Sequence, residues 1–260
     1  MQAPLLKIET LDVGYKAGQE RKVVVGTINA TLRAGEVVAL IGLNGAGKST
    51  LLRTLSAFQP PLSGRVEFAK GDVANLSPAE LAKCVSVVLT ENNFAPLTVS
   101  ELVALGRTPY TGFLGRLTSE DKTIVTAAME RMGIAHLAAR VVSTLSDGER
   151  QKCLIAKAIA QQTPLMLLDE PTAFLDFRSK VQLFRTLRAL ATDDGKAVVV
   201  STHDIEMALR FANKLWLICD GALYEGCAQQ LAADGLLQRF IDGDGIVYDK
   251  ENNRIDITQI

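Results

Sequence analysis

The sequence predicts an α/β fold: a sheet of mainly parallel strands with helices on both faces, β-runs ahead of it and a helical insert part-way along. Three observations carry this. Strand-like and helix-like stretches alternate in the C-terminal half, the pattern of a parallel sheet covered on both sides. A glycine-rich turn stands between an apolar run at 36–41 and a helical run at 49–58. Between about Val99 and Ser143 the period becomes helical. Ile124, Val125, Ala128 and Met132 recur at that spacing, and no comparable β-run appears.

The elements follow in order. Residues 5–13, 22–32 and 36–41 read as strands, and 65–69 and 85–89 as two more before the insert. After it come a strand at Leu165–Leu168, a helix at 180–191, a strand at Ala197–Ser201, a helix at 205–212 and a strand at Lys214–Cys219. In the first of these helices Leu183, Phe184, Leu187, Leu190 and Ala191 share one face. Residues 221–260 read as short hairpins around one helix.

Composition narrows the function. The chain has 260 residues, 28 Lys plus Arg against 29 Asp plus Glu, and a net charge of −1. Such a chain has no global field to hold nucleic acid. An apolar share of 48% excludes disorder as the main state. The longest apolar runs, 37–41 and 215–219, are five residues each, against roughly 20 needed to cross a bilayer. The start, Met-Gln-Ala-Pro, has no signal-peptide pattern. Cys84, Cys153, Cys219 and Cys227 form no CxxC pair and read as reduced thiols. The expectation is a soluble cytosolic chain that reaches a membrane only through a partner.

The run from Gly42 to Thr50, GLNGAGKST, fits the P-loop pattern GxxxxGK[ST]. Gly42, Gly45 and Gly47 allow positive φ, and the backbone of Asn44, Gly45, Ala46 and Gly47 can approach phosphate oxygens. A helix starting near Lys48 adds its positive dipole end. Lys48 supplies full charge to the β- and γ-phosphates, Ser49 a hydroxyl for Mg²⁺, and Thr50 follows in the same turn. Downstream, the apolar strand 165–168 ends in Asp169 and Glu170. A buried parallel strand delivers its C-terminal residues to the ligand crevice. Asp169 is expected to hold Mg²⁺ through its water shell, and Glu170 to take a proton from the attacking water.

Between these elements stands Leu145-Ser146-Asp147-Gly148-Glu149-Arg150-Gln151, which resembles the LSGGQ signature of ATP-binding-cassette ATPases. The run from Leu145 to Asp176 resembles that family's signature helix, second carboxylate motif and following loop in one piece. Tyr15 stands where the family has an adenine-stacking aromatic, though a plain strand aromatic also fits. His203 stands where the family has its switch histidine. His136 reads as structural. Asp176 matches a loop residue at the family's dimer interface and equally fits a helix N-cap.

The resemblance covers essentially the whole chain. It implies a P-loop NTPase mixed-sheet core with an N-terminal antiparallel β-subdomain and an inserted α-helical subdomain. The core would span 1–96 and 150–260, and the insert 97–149. It implies ATP hydrolysis with Mg²⁺ by a head-to-tail homodimer, in which Ser146 and Gly148 of one copy cap the ATP of the other. The segment 97–110, LTVSELVALGRTPY, is similar to the permease-facing segment of importer subunits for iron–siderophore, haem and vitamin B12. It reads equally as an amphipathic helix ending at Gly106. The implied partners are permease subunits and, indirectly, a periplasmic or surface substrate-binding protein, with no nucleic acid. The implied place is peripheral, on the cytoplasmic side of the cell membrane. Two alternatives stay open: a non-transport ATPase of the superfamily, and a nucleotide-dependent regulatory protein.

Two positions depart from the family pattern. Thr90, followed by Glu91, replaces a glutamine that reaches Mg²⁺; Thr90 is expected to point toward the phosphates and to reach the metal shell through a bridging water, with Glu91 toward the permease-facing groove. Asp147 replaces the first signature glycine. Unless it turns away, its charge is expected to oppose closure on a triphosphate.

Overall fold

A computed structural model describes residues 3–18, 20–89, 96–112, 115–243, 245–249, 251–252 and 254–257. The chain runs β1 (Leu6–Ala17), β2 (Glu20–Leu32), β3 (Val37–Gly42), α1 (Lys48–Leu55), β4 (Ser63–Phe68), β5 (Gly71–Asp72), α2 (Pro78–Cys84) and β6 (Val85–Val88). Helices α3 (Val99–Ala104), α4 (Ser119–Arg131) and α5 (Asp147–Ala160) follow, with short 3₁₀ turns between them. Next come β7 (Leu165–Leu168), α6 (Phe177–Thr192), β8 (Ala197–Ser201), α7 (Ile205–Phe211), β9 (Lys214–Cys219) and β10 (Ala222–Gly226). The last elements are α8 (Ala228–Ala233), α9 (Leu236–Ile241), β11 (Ile246–Asp249) and β12 (Arg254–Ile257).

Two sheets organise the molecule. The first is antiparallel, in the order β2-β1-β4-β5. The second runs β10-β9-β3-β8-β7-β6, parallel throughout except for its edge strand β10. The mixed sheet, the antiparallel sheet ahead of it and the helices between β6 and β7 all match the expected fold class. Alternate residues of the large sheet enter different cores. Val38, Leu40, Leu165, Leu167 and Val199 pack with β1, β2 and α1, while Met166, Leu168, Val198 and Val200 pack with α3–α6. The chain's sole tryptophan, Trp216 on β9, is fully buried in the first of these cores, beside Leu40 of β3.

The C-terminal stretch corrects the expectation of hairpins around one helix. The Asp220–Gly221 pair turns with both φ positive, 50° and 75°, so β10 folds back on β9 and extends the large sheet. Gly235, at φ 74°, then divides the helical residues into α8 and α9. β1 is also longer than its apolar run, because pairing with β2 continues to Ala17 opposite Glu20. Helix α2 lies in a stretch assigned no element from sequence. Its signal was present in Ser77, Pro78 and Glu80, which form a capping box with proline at the first turn.

Lys214 ties the sheets together. Its ammonium reaches Glu36 at 2.9 Å, Glu225 at 2.8 Å and the Thr31 carbonyl at 3.0 Å. This holds β2 over the edge of the large sheet, which brings Tyr15 and Val24 to the P-loop.

Candidate active site

Gly42 ends β3 and the loop to α1 is shaped by two glycines. Gly45 sits at φ 79° and Gly47 at φ 106°. A Cβ on Gly47 would lie 2.7 Å from Val24 Cγ1 and 2.9 Å from Val25 Cγ2, so β2 leaves room only for glycine. Gly47 caps α1, whose first residue is Lys48. The Lys48 side chain is buried. Its ammonium donates to the carbonyls of Gly42 at 2.9 Å and Leu43 at 3.2 Å, holding the charge inside the loop.

The Tyr15 hydroxyl and Thr50 Oγ1 lie 3.0 Å apart, while most of the Tyr15 ring is exposed. A hydrogen bond to α1 thus fixes an exposed aromatic face beside the loop. A cavity of about 560 Å³ is lined by Tyr15, Val23, Gly45, Lys48, Ser49 and Glu170, among others. That volume lies within the usual range for small-molecule sites, roughly 300–1,000 Å³.

The carboxylates arrive from β7. Asp169 is buried, and its Oδ1 accepts from Ser201 Oγ at 2.6 Å. Glu170 takes φ 46°, a left-handed conformation that costs a non-glycine residue about 1–2 kcal/mol. Its N–H donates to the same Ser201 oxygen at 2.8 Å. His203 Nδ1 lies 3.6 Å from Glu170 Oε2, with the ring more than half exposed.

Ser146 and Gly148 are elsewhere. Ser146 is the N-cap of α5 and forms a capping box with Glu149. Neither it nor Gly148 lines the P-loop cavity. Hydrogen bonds from the Ser146 N–H and hydroxyl hold the Glu149 carboxyl below its ordinary range, and Arg140 and His136 add to this.

Asp147 neither caps α5 nor stands alone: Arg150 Nη1 reaches its Oδ1 at 3.0 Å, and Arg150 Nη2 donates to the Leu145 carbonyl at 3.0 Å. The expected repulsion is therefore met within one helical turn. Asp176 is the N-cap of α6. The Ser179 backbone N–H, bonded at 2.7 Å, holds its carboxyl below the ordinary range. Thr90, assigned to the metal, and Glu91 lie outside the described residues.

The P-loop, Tyr15, Asp169, Glu170 and His203 are thus gathered at one place, and Ser146 and Gly148 stand apart. The family model described as ABC transporter matches residues 25–173, more than half of the chain. The chain belongs to the ABC transporter family. It is an ATP-hydrolysing cassette of that family. An uncharacterised ABC transporter ATP-binding protein of Methanocaldococcus jannaschii is 45% identical over 215 residues, 82% of this chain and 73% of the relative. An iron(3+)-hydroxamate import ATP-binding protein of Bacillus subtilis is 35% identical over 253 residues, 96% and 92% of the two chains. The dimeric structure of a bacterial ABC transporter cassette superimposes with TM-score 0.76 at 29% identity, over 85% of this ABC ATPase and 98% of that chain.

Three contributors were missed from sequence. Val24 shapes the loop through Gly47, Arg150 offsets Asp147, and Ser201 joins the two carboxylate residues. Only Ser201 carried a signal, as a polar end to the apolar run Ala197–Val200.

Proposed function

We infer that this ABC ATPase powers an importer, working as a head-to-tail homodimer against a separate membrane permease, and that the cargo is an iron(III) chelate. The observation that carries the reading is the likeness to the iron(3+)-hydroxamate import protein over more than nine-tenths of both chains. Haem and corrinoids are the neighbouring cargoes implied by the segment 97–110. The separation of Ser146 and Gly148 from the P-loop cavity supports the dimer, since those groups can serve a nucleotide only in another copy. Among the described residues no helix is long and apolar enough to cross a membrane.

The residues divide the work. Asn44, Gly45, Ala46 and Gly47 present backbone N–H groups to phosphate, and Lys48 adds charge from beneath. Tyr15 offers its exposed ring to the base. Glu170 takes the proton of the attacking water, and His203, beside it, contacts the γ-phosphate. Ser146 and Gly148 of the second copy close over that phosphate with the positive end of α5.

Ser49 and Asp169 fit Mg²⁺. Both are oxygen donors, and Ser201 already orients Asp169. No cluster of three His, Cys, Asp or Glu side chains able to hold a metal exists among the described residues, as suits an ion bound largely by phosphate and water. When bound, Mg²⁺ offsets charge on the β- and γ-phosphates.

The test is uptake. Deleting the gene should abolish accumulation of a radiolabelled iron–hydroxamate chelate. The intact gene should restore it, and Glu170→Gln, with turnover lowered roughly 10²–10⁴-fold, should not. Loss of haem or cobalamin uptake instead would correct the cargo alone. Unchanged uptake of all three would refute the importer reading.

A further inference from the structure

One buried side chain at the site has so far been given only the orientation of Asp169. Ser201 closes β8 after Ala197, Val198, Val199 and Val200, and every residue of that strand is buried. A polar group in such a place is tolerated only when its hydrogen bonds are made. Here both are made, and to consecutive residues. The hydroxyl donates to Asp169 Oδ1 at 2.6 Å and accepts the Glu170 N–H at 2.8 Å. β8 lies between β3, which feeds the P-loop, and β7, which delivers the carboxylates. Ser201 thus ties the end of β8 to the carboxylate end of β7.

The backbone shows why a join is needed. Glu170 is held at φ 46°, a conformation that a glutamate abandons unless its surroundings impose it. The bond from its N–H to Ser201 is such a restraint. The short bond to the Asp169 carboxylate is charge-assisted and fixes that side chain as well. A hydroxyl is the smallest side chain that donates and accepts at once. Alanine does neither, and threonine does both.

We propose that Ser201 is a positioning residue for ATP hydrolysis, locking the Asp169–Glu170 turn so that the Glu170 carboxylate stays at the P-loop cavity beside His203. The proposal rests on Glu170 being the general base. Without the hydroxyl the turn relaxes and Glu170 swings away from the attacking water. The loop carried by β3 and α1 keeps its own hydrogen bonds, so nucleotide binding persists. The loss falls on turnover.

The experiment measures kcat and, separately, equilibrium binding of radiolabelled ATP for four purified chains: Ser201→Ala, Ser201→Thr, Glu170→Gln and the double variant Ser201→Ala/Glu170→Gln. Ser201→Ala should lower kcat about 10- to 100-fold. Its ATP affinity should stay within about twofold of wild type, and it should add less than about twofold to the defect of Glu170→Gln. Ser201→Thr should recover most of the lost turnover. Full turnover in Ser201→Ala overturns the proposal. So does loss of ATP binding, failure of threonine to rescue, or a defect that multiplies with that of Glu170→Gln. Full turnover in Glu170→Gln instead removes the general base itself, and this proposal with it, whatever Ser201→Ala does. Where Ser201→Ala does not fold, Ser201→Cys, of similar size and a poor donor, is judged by the same criteria.

Discussion

Asp147 puts a negative charge on the first turn of α5, at the end proposed to meet another copy's triphosphate. A carboxylate there suits the helix dipole but opposes an incoming anion. Arg150, one turn on, pairs with it and with the Leu145 carbonyl, so the helix end presents a neutral pair. Arg150→Gln should therefore weaken ATP-driven dimerisation of the hydrolysis-blocked Glu170→Gln chain about threefold, the scale of an exposed pair. Adding Asp147→Gly should restore it. Sedimentation of the three chains with ATP checks this, and equal dimer content throughout would show that the pair has no part in closure. The charge on Asp147 was legible in the sequence. Its neutralisation was not, because it depends on the rotamer of Arg150 around a helix end.

A buried polar joint adds to the apolar packing of the helices between β6 and β7. Arg107 is buried, pairing with Asp121 of α4 at 2.8 Å and donating to the Ala160 carbonyl and the Gln162 side chain, each at 2.9 Å. Gly106 packs so closely that a Cβ would lie 2.3 Å from the Lys157 carbonyl of α5. The Tyr110 hydroxyl donates to the Gln161 carbonyl. The GRTPY run, similar in sequence to a permease-facing segment, therefore also clamps α4 to the end of α5, with Leu105 and Tyr110 left partly exposed. The helical period announced α4, and the reading of 97–106 as a helix announced α3, which ends two residues earlier, at Ala104. Neither could announce this joint, which forms between residues far apart in the chain. Asp121 makes the joint sensitive to acid. The Thr118 backbone N–H, then Arg107 and the Thr118 hydroxyl, hold its carboxyl down at about 2. An unfolded aspartate titrates near 3.9. The folded value is the lower one, so the contribution is present above about pH 4 and is lost as pH falls from there toward about 2. The gap in thermal midpoint between wild type and Asp121→Asn should be widest at neutral pH and should shrink toward pH 3. A gap that stays constant over that range would place the stabilisation elsewhere.

For the molecule as a whole, the P-loop cavity and the Ser146 end of α5 belong to different places on one chain. Mixing Ser146→Arg with Lys48→Ala chains should therefore restore one working site per mixed dimer, about half of wild-type activity per mixed dimer when the sites act independently. Specific activity of the wild type should also rise with protein concentration. No rescue, together with activity independent of concentration, would mean that a single copy completes the site. The P-loop and the carboxylate pair were legible because each rests on a few neighbouring residues. The turn at Asp220–Gly221 and the break at Gly235 carried local signals too, yet how β2 would sit against the large sheet depended on Lys214 meeting Glu36 and the Thr31 carbonyl, far away in the chain. The same long-range closure determines where Trp216 sits, buried against Leu40 on the strand that leads into the P-loop. With no second indole in the chain, selectively excited tryptophan fluorescence is a single-site signal. Its red shift on unfolding reports the opening of the nucleotide-bearing core itself, unlabelled.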